Sequence, residues 1–79
     1  MNKDEQERKK FLEDQLQWCK EQDTILEEIE FKLNKMREIT EYALKYDLSK
    51  IEKDQLNHQL NELKKEVHLL EKMLQTVFH

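Results

Sequence analysis

The chain of 79 residues has room for one small domain, and its composition excludes most folds other than helical ones. Gly and Pro are absent, 41% of the residues are charged and 37% are hydrophobic. A sheet protein needs turn residues, whereas Glu, Lys, Leu and Gln dominate here. The sequence therefore predicts an all-α fold, built as a single helical domain over residues 1–79.

The charges are balanced and dispersed, which excludes partners that need a basic surface. Lys and Arg number 14 against 18 Asp and Glu, and the formal net charge is −4. No face accumulates the positive charge that phosphate backbones or anionic lipids attract. We therefore expect neither nucleic acid nor a membrane among its partners.

Two features indicate a cytoplasmic protein. The sequence has no apolar run that could span a bilayer, and no apolar stretch follows the charged N-terminal residues as it would in a signal peptide. Its single cysteine, Cys19, excludes a disulfide within the chain, which suits a reducing compartment. We interpret Cys19 as a small buried hydrophobe.

The first predicted helix covers about residues 5–46, because apolar residues recur there in alternating steps of three and four. Its heptad places Cys19, Leu26, Leu33 and Thr40 at position a, and Gln22, Ile29, Met36 and Ala43 at position d. A seam built from the a and d rows is typical of coiled coils.

A bend is predicted at about residues 47–49. Ser49 and Glu52 have the spacing of a capping box, which starts a helix near Lys50. Asp47 is a competing cap, with Tyr46 and Ile51 as a hydrophobic staple. No Gly or Asn is present to close the preceding helix in the left-handed conformation, so one continuous coiled-coil helix is the alternative.

The second helix is predicted over about residues 50–78, and its heptad is free of faults. Position a holds Leu60, Val67 and Leu74, and position d holds Leu56, Leu63 and Leu70. If the chain folds back on itself, Ile29 faces Val67 and Met36 faces Leu60, with Leu48 at the centre of the pairing. Because that centre coincides with the capping signals, we predict an antiparallel helical hairpin with coiled-coil packing.

A second apolar row on the first helix predicts an interaction surface. It occupies position g, is interrupted by Lys32, and consists of Trp18, Ile25, Ile39 and Tyr46. An apolar strip left uncovered by the second helix would mark a binding site. We expect a second copy of the hairpin to cover it, forming a homodimer and a four-helix bundle with the two first helices central. A helix of another protein is the alternative occupant.

No arrangement of residues indicates chemistry. The sequence has no nucleophile with an adjacent base, no paired buried carboxylates and no glycine for a phosphate loop. Asp54, His58 and Glu62 recur at four-residue steps, but one exposed histidine with two carboxylates falls short of a metal site. We therefore expect no enzyme activity, no cofactor, no metal and no small-molecule substrate.

Three short stretches follow one another along the chain: Ile29-Glu30 with Met36, then Asp47-Leu48, then Asn57-His58-Gln59-Leu60-Asn61. In this order they resemble the helical-hairpin phosphatases of sporulation response regulators. The resemblance implies an aspartyl-phosphate phosphatase built on a hairpin. Leu33, Asp47 and Asn61 stand where that family has Arg, Gly and its functional Asp. The sequence favours a non-enzymatic coiled-coil module for protein–protein interaction, with the phosphatase-like hairpin as the alternative.

Overall fold

The computed structural model describes the backbone from Asn2 to Val77 and the side chains up to Leu74. This part of the chain forms two helices, α1 (Lys3–Lys45) and α2 (Lys50–Val77), and contains no strand. The helices pack against each other as an antiparallel hairpin with overall dimensions of 70 × 19 × 14 Å. The predicted all-α hairpin is therefore confirmed, and the alternative of one continuous helix is wrong. The predicted last residue of α2 lies outside the described residues.

α1 begins two residues earlier than predicted because Asn2 caps it. The Asn2 backbone is extended, and its side chain accepts a hydrogen bond of 2.9 Å from the backbone N–H of Glu5. Such a cap satisfies one of the backbone donors that the first turn of a helix leaves without a partner. Asp4 and Glu5 in that first turn also place negative charge at the positive end of the helix dipole.

The described bend contains no residue in the left-handed conformation, so it does not require the glycine that commonly ends a helix. Tyr46 leaves the helix in an extended conformation, with φ −113° and ψ 148°, and its N–H donates to the Tyr42 carbonyl at 3.2 Å. No described residue has a positive φ. Since the chain turns through extended backbone, any side chain is tolerated there.

Ser49, rather than Asp47, caps α2. Its hydroxyl oxygen accepts from the backbone N–H of Glu52 at 3.2 Å and lies 3.1 Å from the Glu52 carboxylate, to which it donates. The preceding residue, Leu48, is only 7% exposed. The predicted centre of the pairing is thus also an apolar anchor of the bend, whereas Tyr46 and Ile51 remain 50% and 71% exposed.

α2 faces the seam with the predicted a and d rows. The described α2 residues that are buried or half-buried are Leu56, Leu60, Leu63, Val67, Leu70 and Leu74. The helix offers only these two apolar rows, so it has only one way to turn them inward.

α1 differs from the prediction by a rotation about its own axis. It turns its d and g rows toward α2, while the predicted a row, including Leu26 and Leu33, stays exposed. The buried or half-buried residues of α1 are Trp18, Gln22, Ile25, Ile29, Lys32, Met36 and Ile39. The Lys32–Glu66 contact lies within two residues of the predicted alignment along the axis. The predicted choice of rows on α1 was wrong.

The larger side chains of the g row account for this rotation. α1 carries three apolar rows and α2 can cover only two of them. The g row offers Trp18, Ile25 and Ile39, whereas the a row includes Cys19 and Thr40. Stabilisation scales with the apolar area buried, at about 25 cal/mol per Å², so the bulkier row is the better one to bury.

The core of the hairpin is thin. Among the described residues, the only apolar side chains classed as buried are Leu48 and Val67, at 7% and 6% exposure. The other apolar residues of the seam are half-buried. In a pair of helices each of them is covered by the facing helix alone, so the edges of the seam stay open to solvent. Small proteins with so little core commonly gain stability from a disulfide, a metal ion or association.

Candidate interaction surface

Lys32 is the polar link in the seam between the helices. Its amine lies 2.9 Å from a carboxylate oxygen of Glu66 on α2 and 3.3 Å from one of Glu28 on its own helix. The Lys32 side chain is only 20% exposed, so its stem lies over apolar neighbours while its head is paired. The hydrogen bond to Glu66, followed by that to Glu28, raises the pKa of Lys32 above its ordinary value of 10.5, against the opposing effect of burial.

Gln22 is the second polar residue in the seam and is less well satisfied. It is 6% exposed, and its carbonyl oxygen has no hydrogen-bond partner in the described part of the chain. Gln22 borders a surface hollow that also involves Ile25 and Met73. A polar side chain at a seam position commonly fixes alignment at a cost in stability.

Three of the four residues predicted to form the interaction surface lie at the seam instead. Trp18, Ile25 and Ile39 are half-buried. Ile39 borders a hollow shared with Leu63 of α2, as Ile25 does with Met73. Ile25 and Ile39 therefore lie between the two helices, and none of the three residues belongs to the strip left uncovered.

Tyr46, the fourth predicted residue, is 50% exposed beside the bend. Its ring stacks at a tilt against that of Tyr42, with ring centroids 4.7 Å apart. It lies at the end of α1 and apart from the seam.

The apolar strip that the hairpin leaves uncovered is the a row of α1, here called the outer row. Leu12, Leu26 and Leu33 are 59%, 51% and 49% exposed. The interpretation of Cys19 as a small buried hydrophobe is wrong, because Cys19 belongs to the row turned away from α2 and is exposed. Thr40 continues the row, and its hydroxyl donates to the Met36 carbonyl at 2.9 Å, which satisfies that polar group within the helix. Leu16, 57% exposed, widens the strip near the N-terminus. A comparison of side-chain bulk between the a and g rows would have identified this strip from the sequence.

A line of charged residues runs beside the outer row, on the side away from α2. This charged edge occupies positions b and e, and its charged members are Lys9, Glu13, Lys20, Asp23, Glu27, Glu30, Arg37 and Glu41. Within the helix, Lys9 lies 3.9 Å from Glu13 and Arg37 lies 3.8 Å from Glu41. These four side chains are 65–70% exposed, so each pair contributes little to the stability of the hairpin alone.

The N-terminal part of α1 extends beyond the end of α2, because α1 has 43 residues and α2 has 28. Phe11 continues the g row in this overhang but is 61% exposed, since no described residue of α2 lies beside it. Leu12 and Leu16 border a hollow of about 360 Å³ in the same segment. The overhang therefore exposes apolar side chains that no described residue of α2 covers.

No group of three or more His, Cys, Asp or Glu among the described residues could hold a metal ion. Asp54 and His58 border a shallow hollow with Ile51 on the outside of α2. Asn57, His58, Gln59 and Asn61, which carry the resemblance to the response-regulator phosphatases, are exposed on α2. Neither described helix combines the length and the apolarity that a membrane crossing requires.

Comparison with known proteins identifies no relative. No protein family, no curated protein and no solved structure matches the chain. A functional hypothesis must therefore rest on the exposed surface of the hairpin.

The seam contacts generate a prediction about Lys32 and Glu66. Lys32→Glu would place a carboxylate beside Glu66 and Glu28, so the midpoint of urea unfolding at pH 7 should fall. Combining it with Glu66→Lys restores opposite charges and should recover most of the loss. Because the pKa of Lys32 is raised by folding, its contribution is fully present below pH 10.5 and is lost as pH rises through the raised value. Equal destabilisation in the single and double variants would contradict the contact.

Gln22 generates a second prediction. A buried polar atom without a partner costs about 1–3 kcal/mol, so Gln22→Leu should raise the free energy of unfolding by roughly that amount. Gln17→Leu is the matched control, because Gln17 is exposed on the same helix and its replacement should change stability by less than about 0.5 kcal/mol. Urea unfolding measures both variants. A loss of stability in Gln22→Leu would show that the amide is satisfied in solution.

Proposed function

We propose that the chain is a non-enzymatic helical module for protein–protein interaction that binds a second copy of itself. The observation that supports the proposal is the outer row of α1, an apolar strip that runs along the flank of the seam and remains about half exposed. A contiguous apolar strip with a charged border is the usual character of a binding surface.

The exposed area of the hairpin supports the same proposal. Its accessible surface is 6997 Å², whereas a compact monomer of this mass exposes about 5,200 Å². The difference of about 1,800 Å² exceeds the roughly 800 Å² that each partner loses in a stable interface of standard size. The hairpin therefore exposes enough surface beyond that of a compact monomer to form an interface of standard size with a second copy.

One further expectation and two alternatives belong to this proposal. An exposed cysteine survives unmodified in a reducing compartment, so Cys19 favours the cytoplasm. The phosphatase alternative has the support of the hairpin architecture that the resemblance implies, but Asn61 cannot supply the carboxylate of that family. A helix of another protein is the alternative occupant of the outer row.

The experiment compares two neighbouring rows of α1, the outer row at heptad position a and the seam row at position g. Leu26→Glu with Leu33→Glu changes the outer row, and we expect it to convert a dimer to a helical monomer in sedimentation equilibrium. Ile25→Glu with Ile39→Glu changes the seam, and we expect it to remove most of the far-UV helicity. Phe31→Glu with Tyr42→Glu is the matched control, because these side chains are 57% and 47% exposed on the far side of α1.

Three outcomes would oppose the proposal. A wild-type chain that sediments as a folded monomer would overturn self-association. If the outer-row variant remains dimeric, or the control becomes monomeric, the outer row is not the interface.

A further inference from the structure

We draw no further inference here: the strongest candidate, the exposed outer row of α1 with the charged edge beside it, already carries the proposed function, and nothing in the structure shows how a second copy would be oriented on it.

Discussion

The structure depends on one mismatch between its helices, because α1 carries three apolar rows and α2 carries two. A helix pair buries a single seam, so one row of α1 must stay outside it. The g row enters the seam because it holds Trp18 and two isoleucines, and the outer row is the one left over. The candidate surface is therefore a consequence of how the hairpin packs, and no special motif was needed to create it.

This mismatch also explains how much the sequence alone could predict. The buried residues of α2 were predicted one by one, because that helix has only one way to turn its apolar rows inward. The position of the bend followed from Ser49, Glu52 and Leu48, each of which contributes through local contacts. The predicted rotation of α1 about its axis was wrong. Apolar residues spaced alternately by three and four fit either its a and d rows or its d and g rows. Only the bulk of the side chains distinguishes them.

Two polar residues lie in the seam, and they differ in how well their polar groups are satisfied. Lys32 had looked like a fault in an apolar row, but its long stem covers apolar surface while its amine pairs with Glu66. Gln22 is nearly fully buried and leaves its carbonyl oxygen without a partner among the described residues. Together with a core in which only two apolar side chains are buried among the described residues, these features are consistent with the proposed association, which would add stability to the hairpin.

The central claim is that a second copy covers the outer row, and Cys19 reports on it directly because this exposed residue belongs to that row. The measurement is the rate at which a thiol reagent modifies Cys19 in the wild-type protein as the protein concentration is raised. We predict that the rate per thiol falls as dimers form, since the second copy shields the sulfur. A rate that stays constant, while sedimentation shows that dimers are forming, would place the interface elsewhere and contradict the account.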